Sequence, residues 1–189
     1  MTQGMLHPAS WFGGLVSALL LVSGAAMATP SIEGFRSAAF GMSPDEVRER
    51  LADDDIVAVS EEQTAEGDLI IDARLEGDPA SGEPAVETDL RYVFPADSEQ
   101  LALVVAFYPE VADHAAVKAE LEAAYGQPWE EEMAEWWLEQ LAEGMPATPL
   151  GFSAWGGDET QRHRFVRLWR FEDYLSVEYL DTRLFSERE

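Results

Sequence analysis

Gly34-Phe35-Arg36-Ser37-Ala38-Ala39-Phe40-Gly41-Met42-Ser43-Pro44-Asp45-Glu46-Val47-Arg48-Glu49-Arg50-Leu51 reads as a short strand, a tight turn and the opening of a helix. Ser43 has the chemistry of an N-cap, because its hydroxyl can accept from an orphan amide of the first turn. Pro44 then occupies the first helical position, where a missing N–H costs nothing. Glu46 stands three residues after Ser43 and completes a capping box, and Met42 with Val47 has the spacing of a hydrophobic staple. Asp45 and Glu46 put negative charge at the positive end of the helix dipole. Val47 and Leu51, four apart, share one face, which is the face to bury. Gly41 sits where a turn needs a backbone that a side chain would strain.

Outward from this helix the chain reads as strands. Ile56-Val57-Ala58-Val59 is short and β-rich, and Leu69-Ile70-Ile71-Asp72-Ala73-Arg74-Leu75 begins apolar and then alternates. Gly77 to Pro84 is a polar loop. Leu90 to Phe94 and Leu101 to Tyr108 flank a Pro95-Ala96-Asp97-Ser98 turn, and the second of these strands is apolar on both faces, which places it centrally. Asp113 can cap a second helix in which Val117, Leu121 and Tyr125 recur every four residues; Gly126 and Pro128 end it. A third helix is predicted from Trp129 to Glu143. Its apolar positions, Trp129, Met133, Trp136, Trp137, Leu138 and Leu141, cover roughly half the circumference, wider than one flat core needs. Strands follow at Leu150 to Trp155, Arg162 to Phe171 and Tyr174 to Asp181. The expected fold is α+β, with helices packed on one face of an antiparallel sheet. Residues 29–110 and 111–189 read as two similar α/β modules sharing a core, within a single domain 29–189.

The Gly-Met-Ser-x-x-Glu-Val-x-x-x-Leu run at Gly41–Leu51 resembles the opening helix of small bacterial envelope domains of the SmpA/OmlA type, whose fold is similar to that of the β-lactamase-inhibitor protein. The resemblance covers about a dozen residues. It implies helices packed on an antiparallel sheet and a role at the cell envelope through protein binding. Ala52 stands where such motifs often have Gly, and the chain has no Cys, so it lacks the residue that carries that family's lipid anchor.

Trp11 to Val22 is almost wholly apolar and is followed by Ala26-Met27-Ala28, a small-x-small cleavage signal. Residues 1–28 are therefore read as a secretory signal peptide and the protein as periplasmic or secreted, with no membrane span after cleavage. The leader has no Lys or Arg, an unusual n-region for such a signal. It also has no Asp or Glu, so the formal charge of −25 lies wholly on the mature chain. A chain of that charge repels nucleic acid and anionic membranes. It suits high salt, where repulsion between carboxylates is screened, and it suits cations or a basic protein partner.

Motifs for chemistry are sparse. His114 and His163 have no metal-ligand spacing, and no cofactor is implied. Gly151-Phe152-Ser153-Ala154-Trp155-Gly156 departs from a nucleophile elbow, with Trp155 where the second Gly belongs. Asp53-Asp54-Asp55 and Glu130-Glu131-Glu132 lack the alternation of a calcium loop, and no Gly-rich phosphate loop is present. Two features remain as a candidate interaction surface. Arg162, Arg164, Arg167 and Arg170 crowd four of the twelve cations into one strand; alternation sends Arg162, Arg164 and Arg170 to one face. Trp136 and Trp137 point about 100° apart on a helix, and Trp136 lies further from the stripe's centre. The leading expectation is a non-enzymatic envelope protein that binds another envelope protein. The alternative is a periplasmic hydrolase with dispersed carboxylates acting on a cell-wall or polymeric substrate.

Overall fold

The structure is a computed structural model that describes residues 31–75, 88–108, 114–145 and 147–185. The predicted signal segment, the Gly77–Pro84 loop and the Asp113 cap lie outside the described residues.

The chain is α+β. A two-residue hairpin, β1 (Gly34–Phe35) and β2 (Ala38–Ala39), precedes helix α1 (Pro44–Leu51). Strands β3 (Ile56–Gln63), β4 (Leu69–Leu75), β5 (Thr88–Phe94) and β6 (Leu103–Tyr108) follow. Then come α2 (His114–Tyr125) and α3 (Glu131–Leu141). Strands β7 (Gly151–Gly156), β8 (Arg164–Arg170) and β9 (Leu175–Asp181) close the chain. The main sheet has the order β3-β4-β5-β6-β9-β8-β7, and every pairing in it is antiparallel. Each half of the chain thus lays down its own meander. The two meet where β6 pairs with β9, Val104 opposite Tyr179 and Ala106 opposite Val177.

The capping box at Ser43 is present in full: the Glu46 amide donates to Ser43 Oγ at 3.4 Å and the Ser43 amide donates to Glu46 Oε2 at 2.8 Å. Gly41 adopts φ +87°, the left-handed region that glycine tolerates. Around it the Gly41 amide donates to Leu101 O at 3.0 Å and the Leu101 amide donates to Met42 O at 2.8 Å. Leu101 is therefore spent on the helix entry, and β6 begins two residues later than the apolar run predicts. The Asp53–Asp55 run closes α1. Asp54 Oδ2 accepts from the Ser37 amide and hydroxyl at 3.0 and 2.7 Å, and Asp55 takes φ +57°.

Side-chain alternation sorts the sheet into two faces. Ile71, Tyr92, Val104, Tyr179, Val166 and Trp155 stand in register on one face, and they form a single core with Val47 and Leu51 of α1 and Val117 and Leu121 of α2. So α1 and α2 cover one face, as the sequence predicts. The third helix is carried around the β7 edge. Trp155, on the α2 side, donates its indole N–H to Gly126 O at 2.8 Å. Trp129 donates its amide to Ala154 O at 2.8 Å and its indole N–H to Gly156 O at 2.9 Å. The Trp129 ring then lies against Phe152 and Phe165, which alternate onto the opposite face, with centroids 6.3 and 6.0 Å away. Trp129 is thus an anchor on β7 and not the first residue of a helix. No helix among the described residues is long and apolar enough to cross a membrane.

Candidate functional site

The most exposed aromatic surface among the described residues is on α3. Ala134 is the buried residue of this helix, and its small side chain lets the helix approach β7 closely. Leu138 and Leu141 are half-buried toward the sheet. Trp137 is 36% exposed, Met133 51% and Trp136 53%. The helical period explains the series. Stepping about 100° per residue, Ala134 and Leu141 point at the sheet, Trp137 and Met133 stand on its flank, and Trp136 points further out. The two indoles meet edge to face, with centroids 5.0 Å apart and planes at 85°. Trp137 also touches Trp129 at 6.2 Å. An exposed shelf of Met133, Trp136 and Trp137 results, backed by the Trp129 anchor.

Beneath Trp137 is a slot of about 130 Å³, lined by Trp129, Trp137, Leu141, Phe152, Phe165, Arg167, Leu180 and Thr182. Its one charged wall is already compensated. Arg167 Nε stands 2.8 Å from Glu178 Oε2, at ion-pair distance though not in hydrogen-bond geometry, and the Trp169 indole N–H donates to the same oxygen at 2.8 Å. The outer side of α3 is acidic. Glu132 and Glu139 lie four residues before and three after Trp136, so they flank it along the helix. Glu132, Glu139 and Glu143 are exposed, and none is ion-paired with another described residue.

The arginines do not gather into one patch. β8 starts at Arg164, and Arg162 is an exposed residue of the turn before it, so strand alternation does not govern its direction. Arg164 donates to Asp181 Oδ2 at 3.0 Å, pairs with Glu33 and reaches Ile32 O. Arg170 lies at the other end of β8 and donates to Leu150 O at 3.2 Å. Six residues of strand separate Arg164 from Arg170, about 20 Å. Both serve internal contacts.

Other sequence candidates fall at structural positions. Ser153 is in the middle of β7, not on a strand-to-helix turn. His114 opens α2, where burial and the charges of Arg170 and Lys118 lower its pKa. His163 is exposed in the turn before β8. Among the described residues, no three His, Cys, Asp or Glu side chains converge as a metal site. The slot was not legible in sequence, because Phe152, Phe165 and Leu180 come from three strands and meet α3 only through its passage around the sheet edge. The chain matches no protein-family model, no curated protein and no solved structure.

Proposed function

We propose that this chain is an exported, non-enzymatic protein of the bacterial envelope that binds another protein through the Met133–Trp136–Trp137 shelf of α3. The observation that carries the reading is the exposure of Trp136 and Trp137 on a helix with Ala134 as its buried residue. Exposed indoles are costly to leave in water and are enriched at binding hot spots, where their rigid rings fill partner pockets. The apolar leader with its Ala26-Met27-Ala28 site supports export. The Gly41–Leu51 resemblance to SmpA/OmlA-type domains supports an envelope setting.

The hydrolase alternative calls for a carboxyl held protonated near neutral pH to act as general acid. Among the described carboxylates with a displaced pKa, Glu33, Glu46, Glu61, Asp158 and Asp181 are all displaced downward. Hydrogen-bond donors outweigh desolvation in each.

Site-specific photo-crosslinking tests the reading. A benzophenone side chain at Gln140, beside both indoles, should give a discrete protein adduct in cells; the same group at Glu62 on β3 should not. Trp136→Ala should abolish the adduct at Gln140. Adducts that are identical from both positions, or none from Gln140, would overturn the proposal.

A further inference from the structure

Resting on the reading of α3 as a protein-binding surface, we infer that the segment it takes is cationic and amphipathic: one large apolar side chain enters the slot under Trp137 while Lys or Arg side chains face Glu132, Glu139 and Glu143. Three observations lead there. The slot is lined by Trp129, Phe152, Phe165 and Leu141 and holds about 130 Å³. That is room for one aromatic or branched aliphatic group, since a dry cavity of about 150 Å³ accepts benzene. Trp137 is both a wall of the slot and a member of the indole shelf, so the shelf's flat apolar surface continues from the slot through its edge-to-face contact with Trp136. Beyond Trp136 the helix turns directly to carboxylates that no described cation neutralises.

The pattern of charge decides between occupants. Arg167 already stands in the slot wall beside Glu178, so a partner's cation has no reason to enter there. The unpaired carboxylates are on the outer side, one helical step past Trp136, which is where the cationic flank of an amphipathic segment falls when its apolar side meets the indoles. A second copy of this chain would bring the same carboxylates against themselves, which costs binding. An anionic membrane meets the same repulsion, because aromatic surface helices that bind such membranes carry Lys and Arg on the polar side. A cationic segment gains from every one of these carboxylates, and from the charge of −25 as a long-range attraction that speeds encounter. The exposed faces of Trp136 and Trp137 add cation–π contact to a guanidinium or ammonium laid across them.

The test uses the mature chain and two synthetic peptides of about 14 residues, four helical turns. One is an amphipathic helix of Leu and Lys, and the other has Glu for each Lys. Binding is read by titration of the labelled peptide, with indole fluorescence as the second readout. The Leu/Lys peptide should bind with a blue shift. Its affinity should fall about ten-fold or more in Trp136→Ala and in Glu132→Gln/Glu139→Gln, the loss expected of central contacts. A charge-matched control, Glu62→Gln/Glu66→Gln on the far edge of the sheet, should change it little. Equal losses in the two charge variants would mean attraction by net charge alone and would overturn the inference. A Leu/Glu peptide that binds as tightly and is lost in Trp136→Ala would overturn the cationic partner while leaving the protein-binding surface in place. If neither peptide responds to Trp136→Ala, both readings fail. A Trp136-dependent blue shift on phosphatidylcholine or phosphatidylglycerol vesicles without peptide binding would replace the protein partner by a lipid surface.

Discussion

Trp155 Nε1 donates to the carbonyl of Gly126 at 2.8 Å, a bond that joins a buried residue of the edge strand β7 to the residue that follows α2. Gly126 has φ +81° and receives the α2 terminus through its own amide, which donates to Glu122 O at 2.9 Å. The two contacts fix where α2 stops and so where the chain can turn the β7 edge. Trp155→Phe keeps most of the ring volume but leaves the Gly126 carbonyl without this donor. We expect a loss of about 1–3 kcal/mol, the cost of stranding a partly buried acceptor, in urea unfolding. An unchanged midpoint would mean that the crossing is held by Trp129 and β7 alone.

Ser43→Ala should cost about 1 kcal/mol, because it removes the side-chain acceptor for the Glu46 amide. Glu46 responds in its own titration. The Ser43 backbone and side chain donate to its carboxylate and hold its pKa below the ordinary value, so the variant should let that pKa rise toward the normal carboxylate range. A carboxyl-selective NMR titration alongside the melt checks both. A melt with no change would show that the helix does not depend on this cap.

What a reader of the sequence can recover divides along the range of the interactions. The cap at Ser43, the turn at Gly41 and the stripe Val47–Leu51 are local, and so is the relative exposure of Trp136 and Trp137, which follows from helical angle alone. The strands β4, β5, β6, β7 and β9 are legible from alternation and apolar runs, within a residue or two at their ends. The start of β6 shows why the boundaries shift. Leu101 looks like strand, yet its amide and carbonyl are taken by Met42 and Gly41, some sixty positions earlier in the chain. Arg162 looks like strand for the same reason, and the 157–163 turn claims it. The side of the sheet that α3 occupies is set by Trp129 and Trp155, each bonding to a residue 27 to 29 positions away. No periodicity within the helix encodes that choice, so the slot beneath it is invisible until the chain is folded.

Asp181 predicts an acid-sensitive joint. Its side chain is 1% exposed, and burial alone would raise its pKa. Donors from Arg183 and Arg164 outweigh that, Arg183 Nε at 3.0 Å and Arg164 Nε at 3.0 Å, and the net shift is downward. A carboxyl with a folded pKa below its unfolded value near about 4 stabilises above that pH and loses the contribution as pH falls through the folded value. Asp181→Asn should therefore cost about 1–3 kcal/mol at pH 7, where a charged acceptor is lost. The gap between variant and parent should narrow as the medium is taken below about pH 4. Paired chemical melts at neutral and acid pH measure it, and a gap that stays constant would mean that Asp181 keeps its charge throughout.

The proposed export gives a prediction independent of the fold. If the leader is removed after Ala28, as proposed, Thr29 becomes the mature amino terminus. N-terminal sequencing of protein recovered outside the cytoplasm should begin at Thr29. A start upstream of Trp11 would mean that the apolar run is retained as an anchor.

Trp136→Ala separates a contact residue from a core residue. Emptying a large buried aromatic site costs about 3–5 kcal/mol, through lost transfer energy and the cavity left behind. Trp136 is 53% exposed, and its closest described ring is Trp137, itself part of the surface. Its removal leaves Trp129, Phe152 and Phe165 in contact with one another and opens no space inside the sheet. We therefore expect the melt to move by no more than about 1 kcal/mol, the loss of one edge-to-face pair. Trp129→Ala should behave differently, because that indole bonds to Gly156 O and walls the slot. If Trp136→Ala destabilised the protein as much as Trp129→Ala, Trp136 would be part of the packing that holds α3 to the sheet. The shelf would then lose its standing as a surface kept open for a partner.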